Sequence, residues 1–130
     1  MHAQGFTKGQ RLCSKKDFET IFSKGNSLVE FPLRFIWTTS TEQSQKELIQ
    51  IAISVPKKRF KLAVDRNLLK RKIREAFRKN QSEILDSLKE NKTHIRCVIV
   101  YNDTKIHSSQ KIETQLKKGL KKIVSTCESV

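Results

Sequence analysis

The residues of this chain whose types and spacing could do chemistry are cations. Between Ser54 and Lys79 stand Lys57, Lys58, Arg59, Lys61, Arg66, Lys70, Arg71, Lys72, Arg74, Arg78 and Lys79, with Asp65 and Glu75 as the only acids. Guanidinium and ammonium groups at this density neutralise phosphates, and each neutralised phosphate releases counterions condensed on a polyanion. Asn67 adds an amide that can both donate and accept hydrogen bonds. The chemistry implied is the gripping of nucleic acid, with affinity that falls steeply as salt rises.

Other chemistries find fewer of the groups they need. A self-sufficient nuclease requires clustered carboxylates that hold metals, or a histidine acid-base pair, to activate water and stabilise the phosphorane. Asp65 and Glu75 are separate and embedded among cations, and His2, His94 and His107 are scattered. Cys13, Cys97 and Cys127 are far apart, odd in number and free of any C-x-x-C pair, which speaks against a structural zinc site and for a reducing cytoplasm. The expectation is therefore no catalytic residue, no metal site and no cofactor in the protein itself.

Helical order must position the cations. Leu69, Ile73, Ala76, Phe77, Ile84 and Leu88 recur at three- and four-residue intervals, the period of one buried helix face. Arg66, Asn67, Lys70, Arg71, Arg74 and Arg78 fall on a sector beside that stripe, so one edge packs and the other faces a ligand. The helix is expected to start near Asp65, acting as N-cap, and to run to about Glu90. Lys57, Lys58, Arg59 and Lys61 occupy the approach loop.

The flanking chain supplies the scaffold. Met1 to Cys13 reads as a loosely held arm. Ser14 and Asp17 open a helix with Phe18, Ile21 and Phe22 on one face, closed by Gly25. Asn26 to Thr39, interrupted by Pro32, predicts two short strands. Thr38 to Lys46 has the composition of a hairpin loop, and Leu48 to Val55 alternates as a strand should. Ile95 to Tyr101 is apolar on both faces, as in an interior strand, with Cys97 a core residue. A last helix carries Ile112, Leu116, Leu120 and Ile123 on one side and Lys111, Lys117, Lys118, Lys121 and Lys122 elsewhere. Gly119 costs that helix about 1 kcal/mol relative to alanine and predicts fraying. The order is α-β-β-β-α-β-α, an α/β (α+β sandwich) class with helices packed on a four-stranded sheet.

The totals agree with one unit and one kind of partner. A chain of 130 residues suits a single domain spanning 1–130. Its formal net charge of +14 makes a phosphate-rich partner the natural counterweight. No apolar run approaches the roughly 20 residues needed to span a bilayer, and the N-terminus does not resemble a signal peptide. No membrane role is expected. A helix-turn-helix would need a short helix ahead of the basic one, where a strand stands instead, so readout of duplex DNA is disfavoured. Charge alone leaves open a ribosomal or other structural RNA-binding protein without a nuclease role.

Ser54, Val55, Lys57 and Lys58, followed by Arg66, Asn67, Lys70, Arg71 and Arg74, resemble the bacterial ribonuclease P protein subunit. That family's hallmark is a strand ending in a Ser-Val-x-Lys-Lys run, followed by a basic helix led by Arg-Asn-Arg. The resemblance extends to the Arg11-Leu12 pair, the Asp17-Phe18 and Phe22 helix ending in Gly25, and the closing strand-helix pair. Leu68 departs from it by standing where the family has arginine.

The resemblance implies a left-handed β-α-β crossover, against the right-handed norm. It also implies the protein component of an endoribonuclease that removes the 5′ leader from precursor tRNA, with the catalytic centre and its magnesium in the RNA subunit. The partners implied are that RNA and precursor tRNA, with no protein partner required. Lys57, Lys58, Arg59, Lys61, Arg66, Asn67, Lys70, Arg71 and Arg74 would bind RNA. Phe18 and Phe22, with Phe35 and Trp37 on an opposite wall, would line a leader cleft and stack on its bases, with core filling the alternative reading for Phe22 and Phe35.

Overall fold

The computed structural model describes residues 25–40, 49–91 and 94–128. In chain order these form β1 (Asn26–Glu30), β2 (Leu33–Ser40), β3 (Ile49–Ser54), α1 (Ala63–Asn91), β4 (His94–Tyr101) and α2 (Ser109–Glu128). The expected arm and the helix carrying Phe18 and Phe22 lie outside the described residues.

The four strands make one mixed sheet in the order β1-β2-β4-β3. Pro32 has no amide proton to give a ladder, and it occupies the two-residue turn between the antiparallel β1 and β2, after a cis peptide bond from Phe31. Two short strands are therefore what the sequence led one to expect. β4 runs antiparallel to β2 and parallel to β3. Its interior place follows from its composition, since both of its faces are apolar and either would be costly at an edge.

That placement corrects the expectation of a hairpin at Thr38 to Lys46. β2 and β3 are not neighbours, because β4 inserts between them, and β2 continues through Ser40. The parallel β3 and β4 are joined by α1, so a β-α-β crossover is present.

Strand alternation then sorts the side chains. Leu33, Phe35 and Trp37 of β2, Ile95, Cys97, Ile99 and Tyr101 of β4, and Ile49 and Ile51 of β3 belong to the main core. The same core takes Leu69, Ile73, Ala76, Phe77, Ile84 and Leu88 from α1, and Ile112, Leu116, Leu120, Ile123 and Val124 from α2. The periodicity named both helical stripes correctly. Ile36, Val98, Ala52 and Val100 form a separate small cluster on the sheet's second face.

Two details depart from the sequence expectations. α1 begins at Ala63, so Asp65 sits inside its first turn rather than capping it; the carboxylate still lies at the positive end of the helix. In α2, Gly119 does not end or fray the helix, which continues to Glu128. A Cβ built there would lie 2.9 Å from Cδ1 of Phe35 and closer still to Cε1 and Cζ. Glycine is thus the residue that lets α2 approach the sheet over a buried ring.

Candidate nucleic-acid interface

The basic segment is anchored before it is charged. After β3, Val55 is buried, and the amides of Arg59 and Phe60 both donate to the Pro56 carbonyl, at 3.1 and 3.2 Å, closing a turn. Phe60 is only 6% exposed and meets the Tyr101 ring edge-on, with centroids 5.7 Å apart. Arg66 reaches back from the first turns of α1 and donates through Nη1 to the carbonyls of Phe60 (2.8 Å) and Lys61 (3.0 Å). Arg59 donates through Nη2 to Oδ1 of Asn102 at 3.0 Å, tying the same loop to the segment after β4.

These bonds divide the expected RNA-binding set into two roles. Arg59 and Arg66 spend donors on holding the loop, and both are half-buried. Lys57, Lys58, Lys61, Asn67, Arg71 and Arg74 are exposed and Lys70 is half-buried. None of these forms an ion pair among the described residues. Arg78, which the helical sector also included, is instead paired with Glu75 one turn away, a bond that draws the Glu75 carboxyl below its usual range. These cations stand on the loop ahead of α1 and on the N-terminal half of that helix.

Phe35 and Trp37 do not form the wall of a cleft, and this corrects the sequence expectation. They are 0% and 4% exposed, on the sheet face that the helices cover, and the Phe35 ring lies under Gly119. The cause is the period of two: with Phe35 and Trp37 inward, Arg34, Ile36 and Thr38 take the second face. Nε1 of Trp37 is buried and makes no hydrogen bond among the described residues. Phe18 and Phe22 lie outside the described residues.

Sequence reasoning missed a polar lock beside this site. The His107 amide donates to the Tyr101 hydroxyl at 3.0 Å, and that hydroxyl donates to the Lys105 carbonyl at 2.6 Å. The His107 ring bonds Asp103 through Nε2, and Lys72 donates to the His107 carbonyl at 3.1 Å. Hydrogen bonds from the His107 ring foremost hold the Asp103 carboxyl below its usual range, while burial pushes the Tyr101 phenol up. The spacing of Asp103 and His107, four apart and shortly after Tyr101, was the available signal. Among the described residues no cluster of His, Cys, Asp and Glu could hold a metal ion, and no helix is long and apolar enough to cross a membrane.

Comparison with known proteins decides the family. The ribonuclease P family model matches residues 6–124. The chain belongs to the ribonuclease P protein family. The ribonuclease P protein component of Porphyromonas gingivalis is similar at 30% identity over 125 residues, covering 96% of this chain and 90% of that protein. Among solved structures, a Staphylococcus aureus RNase P protein superposes with a TM-score of 0.67 at 28% identity, covering 88% of this chain and 94% of that one. A mutant of the S. aureus protein, described as defective in mRNA degradation activity, superposes with a TM-score of 0.72 at 25% identity over 89% of both chains. The four-stranded sheet with its helices is thus the architecture of bacterial ribonuclease P proteins, and the ribosomal reading left open by charge gives way to family membership.

Proposed function

We propose that this chain is the RNA-binding half of a cytoplasmic ribonucleoprotein that removes the 5′ leader from precursor tRNA, with the chemistry and its magnesium ions belonging to the RNA half. The observation that carries this reading is the set of cations left unpaired around one anchored loop. Lys57, Lys58 and Lys61 precede α1, and Lys70, Arg71 and Arg74 continue along it, without carboxylate partners among the described residues. A protein of net charge +14 in which these groups have no carboxylate partner among the described residues is suited to lie against phosphates.

In this reading Arg59 and Arg66 are positioning residues. They hold the loop backbone, so that only the lysine side chains are left to be ordered when RNA binds, which lowers the entropic cost of association. Asn67, exposed on the first turns of α1, supplies a hydrogen-bonding amide between phosphate contacts. Leu68 offers no guanidinium, so its neighbours on the helix carry the contact. Leader binding is assigned to Phe18 and Phe22 without Phe35 and Trp37, whose rings are enclosed in the core.

The test is reconstitution with a bacterial ribonuclease P RNA at low magnesium. Charge reversal at Lys57, Lys70 and Arg74, which avoids the two loop-holding arginines, is expected to abolish the stimulation of precursor-tRNA cleavage. Undiminished cleavage by the triple variant would remove the function. So would magnesium-dependent cutting by the protein alone, since catalysis would then lie in the chain.

A further inference from the structure

Among the described residues, every aromatic ring but one is enclosed. Phe35, Trp37, Phe60, Phe77 and Tyr101 are at most 6% exposed, while Phe31, in the turn between β1 and β2, is 47% exposed. A single surface phenylalanine is unremarkable by itself. What distinguishes Phe31 is how it is held and what surrounds it.

Its carbonyl accepts from Nε2 of Gln115 on α2 at 2.8 Å, and the next carbonyl, of Pro32, accepts from the Asn102 amide at 2.7 Å. Its ring is met edge-on by His107, at 5.6 Å between centroids and 83° between planes. His107 cannot swing away easily, because its amide, ring and carbonyl are bonded to Tyr101, Asp103 and Lys72. Above the Phe31 ring lies the Lys111 ammonium, 5.8 Å from the centroid. A half-open aromatic face is thus held in place beside an exposed cation.

The position is continuous with the cationic loop. Asn102, which bonds the turn through its amide, accepts from Arg59 through its side chain, and Arg59 belongs to the loop carrying Lys57, Lys58 and Lys61. An RNA strand neutralised by those lysines would pass within reach of the ring. A flat π-face next to an ammonium is what an unpaired nucleotide needs, the base stacking on the ring and its phosphate taking the lysine.

We propose that Phe31, braced by His107 and Gln115 and attended by Lys111, is a stacking platform for one unpaired base of the bound RNA. The inference rests on the RNA-binding reading above and adds to it a subsite that reads single-strandedness. Stacking is indifferent to base identity, so the platform confers tolerance of sequence together with rejection of paired bases.

The experiment measures binding of a fluorescent nonauridylate to the full-length protein by anisotropy, at low salt and across a salt series. Phe31→Ala and Phe31→Leu are each expected to weaken binding about 5-fold to 100-fold, with Phe31→Trp at least as tight as the parent, since the loss is that of one base stack. The salt slope should be unchanged in the Phe31 variants and shallower in Lys111→Ala. The triple charge reversal at Lys57, Lys70 and Arg74 is measured in parallel. If that variant loses binding while Phe31→Ala and Phe31→Leu bind as the parent does, the platform is wrong and the RNA-binding reading stands. Parental affinity of Phe31→Leu alone would reduce the ring to apolar cover and also overturns the platform. If the charge reversal leaves binding intact, the RNA-binding reading falls, and the platform with it. A parent protein that fails to bind the probe overturns the platform as well.

Discussion

Gly119→Ala makes the sharpest test of how α2 is seated on the sheet. From helix propensity alone, alanine in mid-helix is better than glycine by about 1 kcal/mol, and the variant should be more stable. The structure predicts the opposite. The new methyl would lie 2.9 Å from Cδ1 of Phe35 and nearer to two other ring carbons, and that ring is 0% exposed within the main core. Overpacking a closed core costs about 1 to 3 kcal/mol. Set against the propensity gain, the expected net loss is about 1 kcal/mol or somewhat more. With a urea slope of about 2 kcal/mol per molar, the unfolding midpoint should fall by about 0.5 M or more. Phe35→Leu, which withdraws the ring atoms, should relieve the clash, so the double variant is expected to be more stable than the sum of the single losses by about 1 kcal/mol. A higher midpoint for Gly119→Ala, or strictly additive effects in the cycle, would refute the close approach of α2 to β2.

Two further outcomes follow from titrating groups. The Asp103 carboxyl is held below the usual aspartate value of about 3.9, chiefly by the His107 ring. An acid of depressed pKa contributes stability that is present above its unfolded value and is lost as pH falls through its folded value. Asp103→Asn should therefore be less stable than the parent at neutral pH and show a flatter decline below about pH 4 in acid denaturation; parallel curves would dissociate the pair from stability. Burial pushes the Cys97 thiol up to about 12, against a small opposing hydrogen bond at Ile36. Since the thiolate is the reactive form, Cys97 in a Cys13→Ser/Cys127→Ser background should react with Ellman's reagent only as fast as the protein opens. Labelling at the speed of a free thiol would contradict its burial.

Much of the scaffold was legible because it depends on local period. The stripe Leu69, Ile73, Phe77, Ile84 and Leu88 located α1, and the two-sided apolar run from Ile95 to Tyr101 marked β4 as interior, both from spacing alone. The limits of α1 were legible only to within a couple of residues, since Asp65 suits either a cap or a first turn. Gln81 is fully buried on the same stripe, a burial that apolar periodicity does not signal because its side chain is polar. The hairpin at Thr38 to Lys46 misled for a deeper reason. Loop composition says that the chain turns but not which strand it then pairs with, and the insertion of β4 is a contact between segments far apart in sequence.

The candidate site divides in the same way. The excess of cations that favours a polyanionic partner was determined by the residues alone, because net charge and cation spacing are properties of the chain that folding can only arrange. Which cations hold the loop and which stay without an ion-pair partner among the described residues was decided by tertiary structure, through Arg66 reaching carbonyls behind it and Arg59 reaching Asn102. The aromatics show the same division. Sequence counts Phe31, Phe35 and Trp37 alike, but a strand's alternating faces and the seat of α2 enclose two of them and leave Phe31 in the turn, half open beside a lysine. Burial is a relation between elements, and no single stretch of residues contains it.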